Sequence, residues 1–177
     1  MRTALNIARV AILALMATSG SGLAQGSGAE ARLKQLNITL PADSAPAANF
    51  VNSVQVGKLL FLSGNTPGGQ WPLKGKVGKD LTVEQGYQSA RQTGLIMLTK
   101  VRTALGSLDR VKRIVKVLGM VNSAEDFSDQ PKVVNGFSDL MVEVFGEAIG
   151  KHARSAVGMA GLPGNAPVEV EMIVEVE

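Results

Sequence analysis

The chain has 177 residues, 45% of them apolar, which is enough for one domain with a buried core. It has no cysteine, which excludes a disulfide framework, a zinc-thiolate site and a cysteine nucleophile. The formal net charge is +3, and it falls to +1 without Arg2 and Arg9. With one Trp and one Tyr as well, the chain lacks the basic patches and stacking aromatics that nucleic-acid binding requires. We therefore expect no nucleic-acid partner.

The N-terminus has the pattern of a secretory signal peptide. Arg2 and Arg9 precede a short apolar run, Val10–Ala17, and the small residues Gly22 and Ala24 follow it at the spacing of a cleavage site. The apolar run is too short to anchor the chain in a bilayer. We predict that residues 1–24 are removed and that the protein is exported, periplasmic or secreted, and free of the membrane after cleavage. An ordinary amphipathic helix is the alternative.

Residues 25–45 are rich in Gly, Ala, Ser and Pro, with a short charged segment at Glu30–Lys34, and they predict a linker. The domain then occupies residues 46–177. It opens with two β-prone runs, Val51–Val56 and Leu59–Ser63, separated by Gly57-Lys58, which predicts a hairpin. The Gly- and Pro-rich residues 65–80 predict a long loop. Both a functional loop and a plain surface excursion are compatible with that composition.

Two helices are predicted in the middle and the second half of the domain. Thr82 and Gln85 form a capping box, and apolar residues at three- and four-residue spacing continue the first helix to Gly106. A β-prone run, Val111–Met120, follows, although its two faces are not cleanly separated. The second helix is predicted over Pro131–Phe145, where proline suits the first turn.

The chain closes with two predicted strands, Arg154–Met159 and Val168–Glu177, the second of which alternates between apolar and acidic residues. The order β-β-α-β-α-β-β predicts a single α+β domain in which a mixed sheet carries two helices on one face. The other face of the sheet is left open and partly apolar, and a partner subunit is its natural cover.

The familiar catalytic constellations are absent from the sequence. We find no phosphate-binding Walker loop, no dinucleotide fingerprint, no G-x-S-x-G elbow and no metal-ligand cluster, so we expect neither a metal nor a cofactor. The single histidine, His152, has the pattern of a surface or loop residue. Arg154 enters an otherwise apolar strand, where it either extends to solvent or grips a carboxylate through two parallel hydrogen bonds. Glu169, judged alone, belongs to a solvated strand face.

Several short motifs, in one order over one domain, change this interpretation. Ala153-Arg154-Ser155, then Leu162-Pro163, then Val168-Glu169-Val170-Glu171 resemble the C-terminal signature of the RidA/YjgF family, with its A-R-S, L-P and V-E-I-E elements. The resemblance also includes a Ser63-Gly64-Asn65-Thr66-Pro67 turn, a Pro46-Ala47-Ala48 lead-in and Asn135 early in the second helix. It extends from about Pro46 to Glu177, the whole predicted domain.

The resemblance implies a chorismate mutase-like α+β fold and a homotrimer with its sites between subunits. It implies an enzyme similar to the 2-iminobutanoate/2-iminopropanoate deaminases, which hydrolyse reactive 2-imino acids or their enamine tautomers without a cofactor. Arg154 would bind the substrate carboxylate, and Glu169 would position or activate water. Ser63 and Gly64 would line the same cleft.

The remaining expected substrate-binding residues are Asn135 and Phe50. Phe50 stands where the family often has a tyrosine, and Ala156 stands where it often has a cysteine, so the resemblance predicts a divergent subgroup with a reshaped pocket. The main alternative is a binding module in which Arg154 holds a small carboxylate without turnover. The ribonuclease or translation-inhibitor activity attributed to some family members fits the near-neutral charge less well.

Overall fold

The computed structural model describes residues 28–46 and 48–177. The predicted signal peptide lies outside these residues, and its cleavage stays a prediction. The described part contains four α-helices, α1 (Ala29–Gln35), α2 (Val83–Leu105), α3 (Gln130–Phe145) and α4 (Glu147–Gly150). It contains five β-strands, β1 (Ser53–Val56), β2 (Leu59–Asn65), β3 (Val111–Asn122), β4 (Ala153–Met159) and β5 (Val168–Val176). The two predicted helices and five predicted strands are all present, each within a few residues of its expected bounds.

The strands form one mixed sheet in the order β1-β2-β5-β3-β4. β1 and β2 form the predicted hairpin, and Gly57 takes a positive φ of 57° at its turn. β5 lies antiparallel between β2 and β3, whereas β3 and β4 are parallel, with α3 and α4 connecting them. This single domain with a mixed five-stranded sheet agrees with the predicted α+β class.

Both long helices pack on one face of the sheet, with α2 over β2 and β5 and α3 over β3 and β4. The capping box of α2 is confirmed: the Thr82 side chain accepts from the Gln85 amide, and the Gln85 side chain accepts from the Thr82 amide. The helix ends at Gly106, whose φ of 81° requires a residue without a Cβ. β5 buries every second residue against the helices, as its alternation predicts.

The linker predicted over residues 25–45 contains a helix. α1 buries Ala29 and Leu33 in the domain core, and Arg102 of α2 forms a two-pronged ion pair with Glu30 at 3.0 and 2.7 Å. The Gly- and Ala-rich composition concealed an apolar pair at helical spacing, residues 29 and 33. This segment is therefore a packed part of the fold and not a free connection.

The loop over residues 65–80 is fastened to the domain along its length. The Trp71 indole donates to Ser89 of α2 at 2.9 Å. The Lys76 ammonium donates to the Asn122 side chain at 3.1 Å and to the Ala160 carbonyl at 2.7 Å. These contacts explain how a long Gly- and Pro-rich segment is held in one conformation on the surface. Among the described residues, no helix has both the length and the apolar character needed to cross a membrane.

Candidate functional site

Arg154 lies on the edge strand β4 and turns toward α3. It pairs in register with Val117 of β3, whose side chain is fully buried beneath the helices, so Arg154 faces the same side of the sheet. Nη1 of Arg154 donates to Oδ1 of Asn135 and to Oγ of Ser138, both at 2.9 Å. Asn135 and Ser138 are three residues apart on α3, so they share one face of the helix. The fold thus brings together the two predicted residues Arg154 and Asn135.

The guanidinium of Arg154 keeps donors for a ligand. An arginine has five N–H donors, and the described contacts to side chains use only its Nη1 group. In the part of the chain that the structure describes, no acidic side chain forms an ion pair with it. An arginine that is oriented by neutral partners and left without a carboxylate is prepared to bind one.

An open cleft of about 450 Å³ lies in front of this arginine. It is lined by Ser138, Asp139, Val142, Lys151, His152 and Arg154. Two cations, one carboxylate and a neutral hydroxyl leave the cleft with a positive balance, which suits a small anion. Its volume lies in the range of small-molecule clefts.

His152 lies in the short loop between α4 and β4, in agreement with its interpretation as a surface or loop histidine, and it is half-buried behind Arg154. Its Nδ1 lies 2.6 Å from the carbonyl oxygen of Gly150, and its Nε2 lies 3.0 Å from Oγ of Ser138. Phe137 contacts the ring edge-on. Burial lowers the pKa of His152 below its usual value of 6.5, and the charge of Arg154 lowers it further, although the bond to Gly150 opposes the shift.

Glu169 belongs to a second group on the other face of the sheet. It pairs with Met120 of β3, and Met120 pairs with Val157 of β4. Each of these three residues is the neighbour of a residue that faces the helices. Because successive residues of a strand point to opposite sides of the sheet, all three face away from the helices. Glu169 lies against Gly64, where an added Cβ would clash with the Glu169 carboxylate. Burial raises the pKa of Glu169 above its usual range, and the neighbouring Glu171 raises it further.

Ser63 and Phe50 lie near the same end of the sheet as Glu169. The Ser63 hydroxyl donates to the Val51 carbonyl at 2.6 Å, and the Ser63 amide donates to Asn52 at 3.0 Å, which holds the segment before β1 against β2. Phe50 is 54% exposed in that segment. The predicted site residues therefore form two groups, Arg154 with Asn135 and Glu169 with Ser63 and Gly64, on opposite faces of one subunit.

Sequence inspection missed Ser138 and the contact of His152 with it. Their signals were present, because Ser138 is one helical turn after Asn135 and His152 is two residues before Arg154, which is the strand period. Ala156, where the family often has a cysteine, also follows Arg154 by two residues and packs against the core on the same side. The methyl side chain of Ala156 therefore offers no polar atom where the family often has a thiol.

Fold and site together define a small α+β protein with a mixed five-stranded sheet and an arginine-centred cleft beside its second long helix. Residues 30–176 match the family described as "YjgF/chorismate mutase-like, putative endoribonuclease". The chain belongs to this YjgF family, which confirms the family predicted from the motifs.

Similar proteins cover nearly the whole domain. Protein TCP17 of Trypanosoma cruzi is 48% identical over 149 residues, which are 82% of this chain and 92% of the relative. A 2-iminobutanoate/2-iminopropanoate deaminase of Dermatophagoides farinae is 29% identical over 140 residues, 79% of this chain and 95% of the relative. The relative with a named chemistry is thus the more distant of the two.

Solved structures share the fold at similar coverage. Protein Atu1372 of Agrobacterium tumefaciens, described as having unknown function, is 42% identical with a TM-score of 0.76, over 84% of this chain and 93% of that one. A protein of Shewanella oneidensis described as a "putative endoribonuclease" is 32% identical with a TM-score of 0.80, over 84% of this chain and 99% of that one. The relatives therefore share the fold while carrying different functional descriptions.

Proposed function

We propose that the protein hydrolyses small 2-imino acids and their enamine tautomers, with Arg154 as the carboxylate clamp. The observation that carries this proposal is the guanidinium of Arg154, oriented by Asn135 and Ser138 at an open cleft and unpaired with any described carboxylate. The deaminase name of the Dermatophagoides farinae relative supports the choice of reaction.

The reaction requires little from the protein beyond orientation of the substrate and of a water molecule. A 2-imino acid carries its carboxylate next to an electrophilic C=N carbon, which already reacts with water. A planar arginine that holds both carboxylate oxygens fixes the position of this carbon, so that a placed water can attack it. Arg154 supplies this orientation, and Glu169 orients the attacking water by accepting a hydrogen bond from it.

Arg154 and Glu169 can serve one substrate only if they come from different subunits. They lie on opposite faces of one sheet, whereas a trimer can place the Glu169 group of one subunit beside the Arg154 cleft of its neighbour. The face that carries Glu169 exposes large apolar side chains that a subunit interface would bury, namely Val54, Val56, Leu59, Phe61, Val157 and Met159. We therefore propose a homotrimer with its sites shared between subunits.

The first experiment measures ammonia release from freshly generated 2-iminopropanoate. Arg154→Ala is expected to lower kcat/KM about thirtyfold or more, because truncating one partner of a desolvated charge pair costs on the order of 2–5 kcal/mol. Arg154→Lys is expected to lose most of the activity as well, since a point charge cannot reproduce the planar fork. Lys132→Ala is the matched control: it removes a cation from α3 that pairs with Asp129 outside the cleft. Unchanged activity in Arg154→Ala would contradict the proposal.

The second experiment tests the shared site directly. Subunits carrying Arg154→Ala and subunits carrying Glu169→Gln are each expected to form poorly active trimers. Mixing and reassembling them is expected to restore part of the activity, because some interfaces then combine an intact Arg154 with an intact Glu169. If mixing restores nothing while both variants remain trimeric, the site belongs to one subunit.

A binding module without turnover is the second candidate. The observation that favours it is the completeness of the Arg154 group within one subunit, because Glu169 lies on the opposite face of the sheet. Among the described residues, the acid that lines the cleft is Asp139, and its carboxylate already accepts from the Tyr87 hydroxyl at 3.0 Å. Calorimetry with the product-like 2-keto acid pyruvate separates the two functions. Saturable binding with no ammonia release above the spontaneous rate of imine hydrolysis would select the binding module.

We also propose that the protein acts after export, as the N-terminal pattern indicates. The mature chain is then expected to begin at Gln25. N-terminal sequencing of exported protein tests this, and a mature chain that still begins at Met1 would contradict it.

A further inference from the structure

A chain of hydrogen bonds runs from the backbone of α4 to the arginine of the cleft. It joins the Gly150 carbonyl to Nδ1 of His152 at 2.6 Å and Nε2 of His152 to Oγ of Ser138 at 3.0 Å. It then joins Oγ of Ser138 to Nη1 of Arg154 at 2.9 Å. The last three members of the chain, His152, Ser138 and Arg154, line the open cleft.

The partners at the two ends fix the direction of the two outer bonds in this chain. A carbonyl oxygen only accepts, so Nδ1 of His152 must carry a proton and donate it to Gly150. A guanidinium only donates, so Oγ of Ser138 accepts from Arg154. The Ser138 hydroxyl proton is then free to point at Nε2 of His152. Because burial lowers the pKa of His152, its ring is neutral at pH 7 and Nε2 holds a free lone pair.

This arrangement has the parts of a proton-transfer pair. A hydroxyl donates to the free nitrogen of a histidine, and a fixed acceptor behind the ring holds its tautomer and orientation. The guanidinium of Arg154 donates to the hydroxyl oxygen of Ser138, and its positive charge favours loss of the Ser138 proton. A ligand held by Arg154 in the cleft lies beside this hydroxyl.

We propose that Ser138 and His152 carry the proton between the attacking water and the leaving nitrogen of a substrate bound at Arg154. The inference rests on the proposed deaminase function and extends it. Glu169 of a neighbouring subunit would orient the water, while the Ser138–His152 pair moves the proton.

The reaction consumes only the protonated imine and one water, and it yields a keto acid and ammonium. The water oxygen bonds to the carbon of the protonated imine, the C=N π pair moves to nitrogen, and one water proton passes through Ser138 to Nε2 of His152. The pair then returns this proton to the nitrogen. The C–N bond breaks as the hydroxyl becomes a carbonyl, and the hydroxyl proton leaves with the ammonia as ammonium.

The charged groups around His152 define the expected pH dependence. Arg154 faces it from β4, Lys151 precedes it in the chain, and Asp139 of α3 lines the same cleft. Lys151 pairs with Glu147 at 2.7 Å, and Asp139 accepts from the Tyr87 hydroxyl at 3.0 Å. Because the neutral ring is the active form, activity is expected to fall on the acid side as His152 becomes protonated, below pH 6.5.

His152→Gln tests the pair, because glutamine offers a donor and an acceptor but does not titrate. We expect kcat to fall about 100-fold or more, with KM within a few-fold of its original value, and the acid limb of the pH profile to disappear. Ser138→Ala is expected to lower kcat similarly. Glu147→Gln is the control: it removes a carboxyl that pairs with Lys151 and does not line the cleft, and it is expected to leave the acid limb unchanged.

The outcomes separate this inference from the proposed function. A wild-type protein that releases no ammonia above the spontaneous rate refutes both. An active wild type with an unchanged kcat and acid limb in His152→Gln refutes only the proton-transfer pair. A raised KM with an intact acid limb would show that His152 merely positions Arg154. Nitrogen NMR of the wild type needs no variant, and a ring protonated at Nε2 at pH 7 would also overturn the inference.

Discussion

Gly136 on α3 offers a sharp test of how the fold positions the cleft. An added Cβ at this position would lie 2.0 Å from the Tyr87 carbonyl oxygen and 3.2 Å from the Arg91 amide nitrogen, both in the backbone of α2. Ordinary contacts of a Cβ begin near 3.4 Å, so the helices must separate by more than 1 Å. Asn135 precedes Gly136 directly and Ser138 follows it by two residues, so Gly136→Ala displaces both partners of Arg154 without altering either.

The expected magnitude follows from two opposing terms. Alanine gains about 1 kcal/mol over glycine in a helix interior. Forcing a methyl group against immovable backbone costs about 1–3 kcal/mol or more, and opening the interface between α2 and α3 loses contacts as well. We expect Gly136→Ala to destabilise the protein by about 2 kcal/mol, which lowers Tm by about 4–8 °C for a chain of this size.

Urea unfolding followed by circular dichroism measures this change, and two glycines supply controls. Gly161 has no atom within 4 Å of an added Cβ, so Gly161→Ala is expected to stay within about 0.5 kcal/mol of the wild type. Gly94 would meet the flexible end of Leu140 at 2.7 Å, so its substitution is expected to fall between the two. If Gly136→Ala is as stable as Gly161→Ala, close helix approach does not position the site as argued.

Three further changes have expected outcomes. Glu169→Gln removes a carboxyl whose folded-state pKa is raised, so the contribution of Glu169 to wild-type stability falls as pH rises above about 4.5, and the variant lacks this loss; urea unfolding between pH 4 and pH 8 should show the difference between the two proteins widening in favour of the variant. Arg91→Ala breaks the two-pronged pair with Glu143 that joins α2 to α3; because these side chains are 28% and 39% exposed, the loss at pH 7 is expected to be about 1 kcal/mol, and 1 M salt should reduce it. Thr82→Ala removes the side-chain oxygen that accepts from the Gln85 amide, and thermal unfolding should show a loss of about 1 kcal/mol.

Local patterns were sufficient where one segment decides its own structure. The capping box at Thr82 and the terminal Gly106 predicted both ends of α2, because capping depends on residues within one turn. The alternation of β5 predicted which of its residues are buried. β3 is the informative exception: bulges between Val111 and Arg113 and between Ile114 and Lys116 shift its buried positions, so strict alternation fails there.

The α1 segment shows the limit of composition as a guide. Glycine and alanine around it indicated a linker, yet the burial of Ala29 and Leu33 depends on a surface provided by distant parts of the chain. A seven-residue helix has little stability of its own. Its existence therefore depends on packing, which a local composition cannot report.

The sequence by itself determined the family, the α+β class and the identity of Arg154 as the central candidate, because motif order and hydrophobic period are properties of the linear chain. Only the tertiary structure decided which candidates meet. The register of β4 and β5 on β3 assigns Arg154 and Glu169 to opposite faces, and a shift of one residue would reverse either assignment. Register between distant strands is set by packing of the whole sheet, and so is the contact of His152 with Ser138.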